Sequence, residues 1–282
     1  MNDYLLATLL GVIEGLTEFL PISSTAHLRI AQALLGLSLD DEYWKMFAVV
    51  IQLGAIGAVL VYFRARLTGF ARTFPWTAPA RWLAHPLGLT GLAFVVTAVP
   101  AFLMTKLIGK NLESLPLIAT SLLVGGVAMW VIDGWLSRSR THRLEDLTPR
   151  QAIWIGAAQI LSAVFPGTSR SMSTIAGGQL AGLSRETALE FSFFVSIPTM
   201  VAATGYELLK TLLKGHVVMD AEAWLTLGLG LGVSFLVALG VIAWFMGWVK
   251  RGGFAPFAIY RIFLGLAVLI WAVTNSTAPS VH

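Results

Sequence analysis

The 282-residue sequence contains no cysteine. That excludes a disulfide framework, a thiolate metal site and a cysteine nucleophile, and leaves the compartment open. Charge is nearly as scarce: 12% of residues are charged against 56% hydrophobic, with a mean hydropathy of +0.77. So small a charged fraction cannot cover a water-exposed surface, which excludes a soluble enzyme. The net charge of +4 suits loops facing an anionic leaflet better than a nucleic-acid footprint, so membrane lipids are expected as partners and nucleic acid is not.

What is abundant is the long apolar run. Residues 46–63, 87–105, 115–132, 188–206, 223–249 and 254–274 are almost uncharged, with Glu190 and Arg261 near the starts of the fourth and the last. About 20 helical residues cross a hydrocarbon core of about 30 Å, so each run predicts one transmembrane helix. Two further apolar regions are interrupted: residues 4–37 by Glu14, Glu18, Pro21, His27 and Arg29, and residues 152–183 by Pro166, Gly167 and Arg170. A charge in hydrocarbon costs about 2.5 kcal/mol or more, so these segments should face protein or a wet cavity, as re-entrant helix pairs do. The expected fold is an all-α polytopic membrane protein, a single integral domain over 1–282 with six transmembrane helices and two re-entrant pairs.

The N-terminus reads as mature sequence, because its first basic residue is Arg29 and two glutamates interrupt what would be a signal peptide's apolar core. Arg64, Arg66, Arg72 and Arg81 in one loop, four arginines between Ser137 and Gln151, and Lys250 with Arg251 mark the cytoplasmic side. Asp40, Asp41, Glu42 and both chain ends then fall outside, the first broken pair enters from the outer face and the second from the inner face. Lys106, Lys110, Lys210 and Lys214, on loops assigned outside, run against this orientation.

The two interrupted regions align. With Gly11–His27 set over Gly156–Met172, Gly11, Leu16, Pro21 and Ser24 meet Gly156, Leu161, Pro166 and Ser169, and Glu14 meets Gln159. With one residue of slippage the register reaches Phe47 over Phe191 and Tyr62 over Tyr206. This predicts an inverted-topology internal repeat, repeat 1 over about 1–136 and repeat 2 over about 150–275, with its site where the helices break. Chance similarity between apolar segments is the competing explanation.

Glu14 and Glu18, four residues apart, share one helical face and suit a hard divalent cation such as Mg²⁺ or Ca²⁺. Protonation or pairing with arginine would also account for them. After Pro21, the run Ser23-Ser24-Thr25-Ala26-His27 places an imidazole three residues from a hydroxyl it could activate, although serines there also serve as helix N-caps. The second break, Pro166-Gly167-Thr168-Ser169-Arg170-Ser171, combines a tight turn, backbone N–H groups at a helix start and a guanidinium fork, the elements of a phosphate cradle. Gln52, in the span after the first motif, is either a hydrogen bonder behind the site or helix-packing glue. Asp133, Glu190 and Glu207 fall at span ends, where hydration explains them.

Glu14–His27 and Pro166–Ser171, with Val50–Gly54 between them, resemble the signature motifs of the undecaprenyl-diphosphate phosphatase family, bacterial membrane enzymes also described as bacitracin-resistance proteins. The resemblance covers essentially the whole chain. It implies hydrolysis of a polyprenyl diphosphate to its monophosphate at the outer face of the bacterial inner membrane, with a divalent cation, on two inverted repeats. The family's functional acids fall on Glu14 and Glu18, its serine and histidine on Ser24 and His27, and its arginine on Arg170. Ala26, Met172 and Ser173 depart from the residues most common in the family, which bears on pocket volume.

The expected site therefore has Ser24, His27, Glu18 and Arg170 as catalytic groups, with Glu14 and Glu18 as cation ligands. Ser23, Thr25, Gln52, Gly167, Thr168, Ser169 and Ser171 are the expected substrate contacts. Ser24 with His27 as base, a metal-bound water, or His27 itself remain open as attacker. The alternative function is an inverted-repeat transporter or flippase of an anionic lipid phosphate. The oligomeric state is left open, a homodimer being one admissible assembly.

Overall fold

The computed structural model describes residues 2–38, 41–104, 114–136, 139–214 and 219–276. Asp40, Lys106 and Lys110 lie outside the described residues. Among those described the chain is helical, with a lone bridge between Thr141 and Leu183 and no strand.

The chain opens with a broken pair. Helix α1 (Asp3–Thr17) starts at an Asn2 cap and gives way before Pro21, and α2 (Ser24–Leu34) restarts from a Ser23 cap. In the second broken pair, α8 (Pro149–Val164) starts from a Thr148–Gln151 capping box and α9 (Arg170–Leu180) from a Ser169 cap. Ser23 and Ser169 are the only non-glycine residues at positive φ among those described, at 75° and 73°. Holding an L-residue there costs on the order of 1–3 kcal/mol, so both turns are over-determined by their surroundings.

The two caps correct the sequence register. Ser23, rather than Ser24, is the structural counterpart of Ser169, because the turn from Pro166 to its cap has one more residue than the turn from Pro21. That extra residue lies inside the break, and beyond it the register shifts back by two to bring Phe47 over Phe191. Ser24 and Arg170 thereby become equivalent, each the first residue of its helix.

Among the described residues six helical segments are long and apolar enough to cross a bilayer, and they match the six runs: Glu42–Tyr62, Pro86–Leu103, Leu115–Trp135, Arg185–Leu213, Ala221–Gly252 and Ala255–Ala272. The first is two helices, α3 (Glu42–Val50) and α4 (Gln52–Tyr62), joined at Ile51. Gly54 N–H bonds to the Ile51 carbonyl at 3.0 Å, a three-residue step that tightens the backbone without any proline. The polar α5 (Arg64–Thr73) follows, then the spans α6 (Pro86–Leu103) and α7 (Leu115–Val131). After the second broken pair come α10 (Arg185–Lys214), α11 (Ala221–Gly252) and α12 (Ala255–Ser276).

Packing follows a reciprocal pattern. α1 lies on α11 as α8 lies on α6, α4 meets α11 as α10 meets α6, α7 pairs with α12, and α10 meets α3 and α4. The aligned glycines serve the two equivalent contacts: a Cβ on Gly11 would press on the Gly230 carbonyl of α11, and one on Gly156 on the Ala93 carbonyl of α6. Close backbone approach through small residues is how helices associate where lipid gives no hydrophobic drive.

Asp133 is a correction. It is buried in the turn that ends the third span, not hydrated; Gln179 Nε2 donates to it at 2.8 Å, Arg185 Nε at 2.6 Å and Phe254 N–H at 2.9 Å. Glu190 pairs with Arg66, and Glu207 with Lys210 at 3.1 Å.

Candidate active site

The two breaks meet at one carboxylate. Glu18, just past the last turn of α1, receives Ser24 Oγ on Oε2 at 2.5 Å and Arg170 Nη2 on Oε1 at 2.8 Å. Both donors are the first residues of their helices. Arg170 is 12% exposed and Glu18 7%, a setting in which an ion pair is weakly screened. The guanidinium also donates Nη1 to the Ser192 carbonyl at 3.2 Å and lies 5.8 Å from the centroid of Phe19, while its Nε is buried with no partner. Ser171 Oγ reaches across to the Leu20 carbonyl at 2.9 Å, tying the second break to the first.

A cavity of about 520 Å³ opens on this cluster. Glu18, Ser23, Ser24, Thr25, Gln52, Gly167, Ser169 and Arg170 line its polar end. Its other walls are largely apolar, with Phe94, Ala98 and Phe102 from α6 and Met200, Ala202 and Ala203 from α10; Phe102 lies near the C-terminal end of α6, and Tyr206 and Glu207, also lining, lie in the C-terminal part of α10. A polar head with an apolar extension fits an amphiphile whose head is an anion.

Four expected residues lie off this cavity wall. Ser171 is consumed by its bond to Leu20, Thr168 is buried behind the turn, and Glu14 sits one helical turn below Glu18. His27 faces the other way. Its Nδ1 is 2.7 Å from the Ser23 carbonyl and its Nε2 2.7 Å from the Tyr260 hydroxyl of α12, on whose ring it stacks. The expected Ser24–His27 hydrogen bond is not made; Glu18 takes its place.

Three residues were not foreseen at the site. Gln159, aligned with Glu14, lines the cavity and donates to Thr199 at 3.1 Å. Tyr260 anchors His27. Arg261, fully buried, donates to carbonyls of both breaks. An unpaired charge in an apolar run was the available signal for Arg261.

A divalent cation has a donor set of the right chemistry. Both carboxylate oxygens of Glu14 are buried without a hydrogen-bond partner, one turn from Glu18. Among the described residues there is no cluster of three or more metal-binding side chains.

Fold and site together define a polytopic helical membrane protein with a buried Ser24–Glu18–Arg170 cluster at the head of an apolar-walled cavity. A family model described as bacitracin resistance protein BacA matches residues 7–267, and the chain belongs to that family. It is therefore a multi-pass membrane protein. It is 58% identical to the undecaprenyl-diphosphatase of Koribacter versatilis, covering 97% of this chain and 99% of that protein. It is 46% identical to undecaprenyl-diphosphatase 2 of Paramagnetospirillum magneticum, covering 94% and 98%. With the undecaprenyl-diphosphatase of Novosphingobium aromaticivorans the figures are 43% identity, 96% and 98%.

Proposed function

We propose that this chain hydrolyses undecaprenyl diphosphate to undecaprenyl phosphate and inorganic phosphate, recycling the lipid carrier of cell-wall synthesis. The observation that carries this reading is the single carboxylate shared by Ser24 and Arg170 at the head of an apolar-walled cavity. The diphosphate enters the polar end, with Arg170 and the Ser169 turn on its phosphate oxygens and the polyprenyl tail along α6 and α10. The unpartnered Arg170 Nε is a donor in reserve for that anion. Glu18 takes the Ser24 proton while Oγ attacks the terminal phosphorus in line. The new bond is Oγ–P, the bond broken is P–O to the bridging oxygen, and the lipid monophosphate leaves. Water then opens the phosphoserine, releasing inorganic phosphate and returning the proton to Ser24. Glu14 and Glu18 would hold the divalent cation, Mg²⁺ or Ca²⁺, whose chemistry when bound is to neutralise diphosphate charge.

His27 has a different part in this reading. Its Nδ1–H, donating to the Ser23 carbonyl, steadies the positive-φ turn that aims Ser24. Asparagine carries an amide N–H near the same place and has no basic nitrogen. His27→Asn is therefore expected to retain turnover within about tenfold of the native chain, while His27→Ala falls well below it. Equal loss in both variants, measured as phosphate release, would restore the imidazole as the base.

The reciprocal packing of α1 on α11 and α8 on α6, and the matched serine caps, support two inverted repeats of about 1–136 and 150–275 within one domain, each led by a re-entrant pair. Basic loops on one side and the cavity's Phe102–Glu207 end on the other favour a site open to the outer face of the bacterial inner membrane. The test is inorganic phosphate release from farnesyl diphosphate by the full chain in detergent, with Mg²⁺, with Ca²⁺ and with chelator. Release that needs a divalent cation supports the reading; no release with any cation returns the chain to the transporter alternative.

A further inference from the structure

Among the described residues Arg261 is the largest side chain with no exposed surface, and it sits inside a helix long and apolar enough to cross a membrane. Among the described residues it forms no ion pair; all three of its hydrogen bonds go to backbone carbonyls. Nη1 donates to Pro21 at 3.2 Å, and Nη2 to Ser121 at 3.2 Å and to Gly167 at 3.1 Å. Pro21 belongs to the first break, Gly167 to the second, and Ser121 to α7, which pairs with α12 along its length. One guanidinium therefore joins the two breaks to each other and both to a full-length span.

Broken helices leave carbonyls without partners, and in an apolar interior each has to find a donor. A single lysine or water could serve one or two of them. A planar fork with donors on two edges can serve three in fixed relative positions, which turns carbonyl satisfaction into a geometric tie. The carbonyls chosen are informative: Pro21 and Gly167 each lie three residues before the first residue of the following helix, Ser24 and Arg170. Those are the two residues that share Glu18. The backbone around Arg261 is cleared for it as well. Gly125 of α7 lies against the guanidinium so closely that a Cβ there would collide with Nη2, and Gly167 holds a φ of +89° that favours glycine.

We propose that Arg261 is a positioning residue: by tying the Pro21 and Gly167 carbonyls, it sets the distance between the serine–glutamate half and the arginine half of the site. The proposal rests on the phosphatase reading for its kinetic consequence, and its geometric part stands apart from it. The full chain is assayed in nanodiscs with farnesyl diphosphate as Arg261→Met, which keeps most of the bulk and loses every donor, as Arg261→Lys, and as Gly125→Ala, which displaces the fork while leaving the arginine itself in the sequence. The native chain has no cysteine, so L34C with L180C, both exposed at the far ends of α2 and α9, gives a clean spin-label pair for distance distributions.

Arg261→Met is expected to lower kcat about a hundredfold with KM within about threefold, Arg261→Lys to recover about tenfold of that, and Gly125→Ala to fall about tenfold. The α2–α9 distance distribution is expected to be narrow in the native chain and broadened in Arg261→Met. Unchanged kcat in Arg261→Met overturns the proposal. So does lost activity with an unbroadened distribution, and so does failure of both Arg261 variants to fold, which would make the residue a stability element only. Should the native chain release no phosphate, the phosphatase reading fails, while the distance measurement still decides whether the tie exists.

Discussion

Replacing Arg170 with alanine is expected to lower phosphate release from farnesyl diphosphate about a thousandfold or more, with the chain still folded and membrane-inserted. The size follows from what one guanidinium does at the site. It holds Glu18 Oε1 and the Ser192 carbonyl at once, and it is the one basic side chain among the described residues that line the cavity. Arg170→Lys is expected to restore no more than about tenfold, because an ammonium cannot hold those two partners and a phosphate together. Single-turnover phosphate release with an unfolding scan of each variant checks it. Native-level turnover in Arg170→Ala would remove the second break from the chemistry.

The second large effect concerns Ser24 and Glu18 as a unit. Each of Ser24→Ala and Glu18→Gln is expected to reduce kcat about a thousandfold, and the double variant to be little worse than either, because groups that act in one step are strongly non-additive. The reason is the 2.5 Å contact between Ser24 Oγ and Glu18 Oε2: without its base the serine is a poor nucleophile, and without the serine the carboxylate has nothing to deprotonate. Losses that multiply in the double variant would show that the two act separately, with water as attacker. Substantial turnover in Ser24→Ala alone would point the same way.

Much of this site was visible in the chain because charge is expensive in hydrocarbon. Glu14, Glu18 and Arg170 stand out from apolar surroundings, and the six spans were delimited by the same scarcity of charge. The convergence of Glu18, Ser24 and Arg170 was also expected, since two aligned breaks imply that the broken ends meet. Other features left no such mark. The partners of Arg261 are carbonyls, which every residue has, so nothing in the identities of Pro21, Ser121 or Gly167 signals the tie. The anchor of His27 is Tyr260, far along the chain, and only packing of α2 near α12 brings them together. The serine register was misplaced by one because both breaks are rich in hydroxyls, and only backbone φ separates Ser23 from Ser24 as the cap. The bend at Ile51 has neither a proline nor a charge to announce it.

The buried Asp133 has a consequence at a distance. It receives the backbone N–H of Phe254, immediately before α12 begins, and seven residues later, about 10 Å along an unbroken helix, Arg261 grips the turns of both breaks. The final helix is in effect a strut pinned at its N-terminal foot and clasping both breaks partway up. Any widening of the gap between the two breaks must bend this strut or first unlatch its foot.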